Sequence, residues 1–304
     1  MIYYKLLIYL ILLSVGITST FETSIGICNL EIYEGKTEHI IELENLIKEE
    51  VNNLVNKYGK IEKNKFSIYI TSNLNEFNKQ AKGKTPEWGI AVAKRNPERI
   101  IIKPPKIINI SFNRLKKIII HELNHIYIFR IKNYSSIPSW FKEGLAMKSS
   151  KEFSLINKIE ISKSIWKNNI LPLNKIKNFN LLHTSNIQLA YSESAAAIEA
   201  LEYYYGNEIL KVVLNNMQKN MSFNKALEQA INEPLYNFEI FFESFLKQNY
   251  NWIFLLKSPK YFYMFLPIIL IFGFIFQQYR KKIIYKKWEI EEGLEDLECE
   301  KLKN

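Results

Sequence analysis

At 304 residues the chain is long enough for one or two domains with a sizeable core, and 47% hydrophobic with 24% charged residues excludes a wholly disordered protein. The net charge of +10 is spread along the sequence instead of gathered on one stretch, which argues against a dedicated nucleic-acid surface. The two cysteines, Cys28 and Cys299, lie near opposite ends and offer neither a disulfide framework nor a cysteine metal site.

The first twenty residues, MIYYKLLIYLILLSVGITST, have one early lysine, an apolar run from Leu6 to Val15 and then small residues. This pattern predicts a secretory leader over 1–20, either cleaved or kept as an anchor. Residues 36–58 place Ile40, Leu43, Leu46, Ile47, Val51, Leu54 and Val55 at helical spacing, with Gly59 as a stop. FSIYIT (66–71) alternates like a strand, and 72–82 reads as a short helix. WGIAVAK (88–94) and RIIIK (99–103) read as two strands joined by a turn. A long helix is expected over 111–131 and a second over 139–148, entered after Pro138. Further helices are expected over 186–205, 207–219, 222–231 and 235–250. Strands first and helices later predict an α+β domain.

The uncharged run YFYMFLPIILIFGFIFQQY (261–279) has the length of a membrane span. Arg280, Lys281, Lys282, Lys286 and Lys287 follow it, against only Lys257 and Lys260 before it. The positive-inside rule then places the tail, 280–304, in the cytoplasm and the domain over 21–256 outside the cell membrane.

The chemistry concentrates in IIIHELNHIYIF (118–129). Residues four apart lie one helical turn apart, so His121 and His125 share a face and can hold one cation, with Zn²⁺ the metal that suits paired imidazoles. Glu122 sits beside them, placed to take a proton from a water activated at the cation, the logic of the HExxH arrangement. The chain has only four histidines, and two of them fall in this pattern. A buried glutamate is costly unless paired, and an adjacent metal removes that objection. A catalytic zinc needs a third protein ligand. Glu143, eighteen residues after His125 in SIPSWFKEGLAMKSS, is the candidate, brought back by a short loop and an antiparallel helix.

HELNH followed by PSWFKEGLA resembles the gluzincin metallopeptidases, in particular the peptidase MA-like family, over roughly 66–250. The resemblance implies a zincin-like fold: a small mixed sheet, an active-site helix and a helical C-terminal half. It also implies His121, His125 and Glu143 as zinc ligands, Glu122 as general base and acid, and a peptide or protein substrate. Some gluzincins carry an acidic residue four positions after the ligand glutamate, where this chain has Met147, so the partner that orients a ligand histidine must come from elsewhere.

Tyr191 is the candidate for stabilising the oxyanion, with His183 the alternative donor, while His39 reads as solvated. Trp140 and Phe141 read as packing for the return helix. RIIIK is either an edge strand that pairs with substrate or an internal strand. The alternative to an enzyme is a zinc-stabilised, membrane-anchored binding module. The sequence is silent on oligomeric state and on which peptide bonds are cut.

Overall fold

The computed structural model describes residues 16–33, 37–82, 89–251 and 266–286. The chain divides into two compact units, Met1–Asn251 and Trp252–Asn304.

The first unit opens with a hairpin, β1 (Ile17–Thr23) and β2 (Gly26–Ile32), paired antiparallel with Phe21 opposite Cys28. Gly26 makes the turn possible: its φ is +125°, and a Cβ there would meet the Asn64 carbonyl oxygen at 2.0 Å. The hairpin was not foreseen, and the expected boundary of the leader at residue 20 falls inside β1. Residues 1–15 lie outside the described residues.

Helix α1 (Thr37–Tyr58) buries Ile40, Leu43, Ile47, Val51 and Leu54 along one stripe and ends at Gly59, whose N–H donates to the Val55 carbonyl. Strand β3 (Phe66–Ile70), helix α2 (Leu74–Ala81) and the hairpin β4 (Ala91–Arg95) and β5 (Glu98–Ile102) complete a five-stranded sheet in the order β1-β2-β3-β5-β4. The β2–β3 and β3–β5 pairs are parallel and the outer pairs antiparallel. Ile100, Ile101 and Ile102 are fully buried because β5 is internal, so RIIIK is not the edge. The edge is β4.

Side chains alternate along each strand, so the sheet has two distinct faces. Tyr69 and Ile101 point to α2, where they pack with Phe77 and Ala81. Ile68, Ile100 and Ile102 point to the other face, against which α1 and α3 (Phe112–Phe129) lie.

The helical half continues with α4 (Ser139–Ser149), α5 (Leu155–Trp166), α6 (Thr184–Tyr205), α7 (Ile209–Gln218), α8 (Phe223–Ile231) and α9 (Leu235–Tyr250). Apart from α5, each was expected from sequence. The Ser-Glu-Ser-Ala-Ala-Ala stretch of α6 lets α4 approach its backbone closely.

In the second unit a helix, α10, covers 266–286. The expected membrane span over 261–279 is not met among the described residues, where no helix is long and apolar enough to cross a membrane. Residues 261–265 of that span lie outside the described residues, so α10 contains only its part from residue 266 onward. Residues 252–265 and the acidic tail from 287 lie outside the described residues.

Candidate metal centre

Helix α3 is capped at its start by Ser111, whose side chain accepts from the Arg114 N–H at 3.2 Å. Its far end is anchored by Arg130, which pairs with Glu98 at 2.6 Å and donates to the carbonyls of Ile25, Glu62 and Asn64. Tyr127 adds a hydrogen bond to the Gly59 carbonyl at 2.7 Å. The helix that carries the motif is therefore fixed to the sheet and to α1. Ile119, Leu123 and Ile126 fill the core, while His121 and His125 turn toward a cleft, their ring centroids 5.1 Å apart.

The chain returns through a short turn at Tyr134–Ser136, entered by Asn133 in the left-handed region (φ 55°). The Asn133 side chain ties this turn to the carbonyls of Asn220 (2.8 Å) and Met221 (3.1 Å). Helix α4 then starts after Pro138. Trp140 and Phe141 lock it against Phe223, at ring centroid separations of 5.6 and 4.9 Å, the packing role expected of them. Gly144 is the point of closest approach to α6. A Cβ there would meet the Ser194 carbonyl oxygen at 2.3 Å. The glycine that follows Glu143 thus lets α4 seat deeply enough to present the carboxylate.

Glu143 Oε2 lies 3.5 Å from His121 Nε2 and 3.6 Å from His125 Nε2. One donor atom from each of the three residues lies within 4.8 Å of the others. A tetrahedral zinc with ligands at ~2.0–2.1 Å requires donor separations of about 3.3–3.4 Å, so this donor set fits such an ion. Glu122, beside them, is 8% exposed.

The electrostatics favour a cation. Burial alone would raise Glu143, but the charge of His125 and hydrogen bonds from both histidines hold it well below the usual carboxylate range. Burial would lower His121, yet the Glu143 and Glu152 carboxylates push it up to about 10. Glu122 is raised by burial, only partly offset by His125 and His121. A divalent ion is the natural complement to this surplus of carboxylates around two imidazoles.

Glu152 is the residue that sequence reasoning missed. His121 Nδ1 donates to Glu152 Oε2 at 2.7 Å, Ser150 Oγ donates to the same oxygen at 2.9 Å, and Arg114 Nη1 pairs with Oε1 at 2.7 Å. It fills the orienting role that Met147 cannot: the chain reverses after α4 through Lys151 (φ 54°), and the Glu152 N–H closes on the Met147 carbonyl at 3.0 Å.

Two cavities flank the donors. One of about 350 Å³ is lined by all three ligand residues and Glu122, and one of about 470 Å³ adjoins His121, Glu122 and Glu152. Tyr191 and Ala91 of the edge strand line both. Burial, reinforced by the charges of Glu143, Glu122 and Glu152, raises the Tyr191 phenol, so it stays protonated. Its ring stands edge-on to Phe179 at 4.9 Å. His183 is exposed and caps α6, accepting from the Ser185 N–H, and it lines neither cavity. His39 is half-buried and stacks on Phe112 at 4.4 Å, so it is less solvated than expected.

A search of the curated proteins finds no match. A family model described as Peptidase MA superfamily matches residues 46–248, a span that includes the second half of α1, strands β3, β4 and β5, the donor set and the helical half. With its HExxH helix, its returning glutamate and that match over most of its length, the chain belongs to the Peptidase MA superfamily.

Proposed function

We propose that this chain is a zinc-dependent peptidase that hydrolyses peptide bonds outside the cytoplasmic membrane. The observation that carries the reading is the convergence of His121, His125 and Glu143 within 4.8 Å, beside a buried Glu122 and at the floor of a cleft. The apolar run from Leu6 to Val15 supports the location.

When bound, zinc supplies Lewis-acid polarisation of the scissile carbonyl and acidifies a water for attack. The protein does the rest. His121, His125 and Glu143 hold the ion, and Glu152 fixes the ring of His121. Glu122, its proton affinity raised by burial, takes the proton of the attacking water and delivers it to the leaving amine. The Tyr191 hydroxyl, on the wall of both cavities, donates to the oxygen on which negative charge develops. The outer edge of β4 offers main-chain groups for pairing with an extended substrate.

The test is a set of variants of the full chain. Glu122→Gln is expected to bind stoichiometric zinc and to lose peptide cleavage by ~10²–10⁴-fold or more. His121→Ala should lose metal and cleavage together. Zinc-loaded Glu122→Gln that cleaves as fast as the parent would refute the mechanism. Tyr191→Phe should lower kcat by ~100-fold with little change in KM, as loss of an oxyanion donor does.

A further inference from the structure

The cleft is chemically lopsided along β4. At the end near Gly89 and Ile90 the cavity of about 470 Å³ is walled by Ile118, Met147 and Ile156 together with the uncharged polar Ser154, Asn157 and Gln188, and its Arg114 is already paired with Glu152 at 2.7 Å. At the other end, past Ala93, the metal cavity is bordered by a further cavity of about 490 Å³. The two share Val92, Ala93, Phe129 and Tyr134, so they adjoin. Lys82, Lys94, Arg95 and Arg99 line this further cavity, and no Asp or Glu does so among the described residues.

The carboxylates nearby are committed. Glu98 is paired with the buried Arg130, and Glu76 accepts from Tyr69 and Ser72. Arg95 and Lys142 each lie 5.0 Å from the centroid of the Tyr134 ring, at the junction of the two cavities. The strand register explains how the cations are disposed. Ala91, Ala93 and Arg95 pair with Ile102, Ile100 and Glu98 and face the metal side, while Val92 and Lys94 pair with Ile101 and Arg99 and face α2. Successive residues of a strand added to β4 would alternate between these two faces in the same way.

We propose that the end of the cleft at Ala93–Arg95 selects acidic residues, so that the substrate class is a peptide or protein segment with neighbouring Asp or Glu on the side of the scissile bond that lies there, and uncharged residues on the other side. One acidic side chain would meet Arg95 and Lys142, and its neighbour Lys94 and Arg99, which donate to the uncharged Gln80 and Ser67 and so keep their net positive charge. The inference rests on the peptidase reading for which groove the substrate occupies, but the charge preference is measurable without catalysis.

The probe is a set of fluorescent peptides of equal length: one neutral, one with two glutamates before a central apolar pair, one with two glutamates after it, and one with lysines in their place. Binding is measured on the full zinc-loaded chain carrying Glu122→Gln. One of the two acidic peptides should bind about tenfold tighter than the neutral one at low salt, the lysine peptide more weakly, and most of the difference should vanish at high ionic strength. Arg95→Glu with Lys82→Glu, both at exposed positions, should bring the acidic-to-neutral ratio to about one or below, in protein of unchanged melting temperature. Equal affinity for all peptides, a preference that survives charge reversal, or tighter binding of a single-stranded oligonucleotide than of the acidic peptide would each overturn the proposal. In the active chain kcat/KM should follow the same order. Acid-selective binding with no cleavage of any peptide would sink the peptidase reading while the binding preference stands.

Discussion

Two glutamates illustrate how burial sets chemistry at the scale of single residues. Glu152 reaches His121 from beyond the end of α4 and is itself held by Arg114 and Ser150. Glu152→Gln keeps the shape but weakens the acceptor. Zinc affinity should fall ~10–100-fold, read by competition with a chelator, while the metal-free protein melts where the parent does. Glu193 is fully buried on α6, accepts from the Leu171 N–H at 3.1 Å, and is pushed by burial from 4.5 up to about 8. The folded state therefore holds a proton that the unfolded chain releases near pH 4.5. Stability from this group is complete below that pH and is lost as pH rises through about 8. Glu193→Gln, which mimics the neutral acid, should flatten the fall in melting temperature between pH 5 and 9; a parent profile already flat over that range would contradict this. Glu122 and Glu143 were legible in the sequence because helical spacing and a helical return are local rules. Glu152 was not, because nothing in the residues around Lys151 announces a left-handed turn.

Among the elements, the crossing of α4 over α6 decides where Glu143 sits. Gly144 has no room for a methyl group: Ser194 O and Ile198 Cγ1 would lie 2.3 and 2.7 Å from it. Gly144→Ala must push α4 outward, at a cost of about 1–3 kcal/mol, and carry Glu143 away from the two imidazoles. Zinc affinity should drop with stability, which metal titration and thermal melts check together; a variant with parent-like values for both would mean that the two helices slide apart freely. Most helices were readable from their apolar stripes, α1 and α3 above all. Helix α5 was missed because Leu155, Ile156 and Trp166 are exposed and blur its period. The sequence left RIIIK open between an edge and an internal strand because strand order follows from packing between distant segments, and the Ile-rich composition of β5 fits either place.

On the scale of the whole molecule, the sheet begins earlier than the sequence suggested. Thr18, Ser19 and Thr20 look like the small residues that follow a leader, yet they pair with Glu31, Leu30 and Asn29, and Ser19 donates to Glu44 at 3.1 Å. A chain started at Phe21 would lose half of β1 and bare the outer edge of β2. It should melt lower and aggregate more readily than one started at Gly16, a comparison that thermal melts and light scattering provide. The HELNH helix and its returning glutamate were plain at this scale as well, since together they imply a cleft between a sheet half and a helical half. The far end of the sheet has an edge of its own, because among the described residues no strand pairs with the outer side of β4. A bare strand is an invitation to zip onto a second copy of itself, and Lys94 and Arg95 near the end of β4 would bring like charges together in any such dimer. Those two charges guard the edge against self-association: replacing both with uncharged residues should raise light scattering relative to the parent at equal concentration, and unchanged scattering would contradict this.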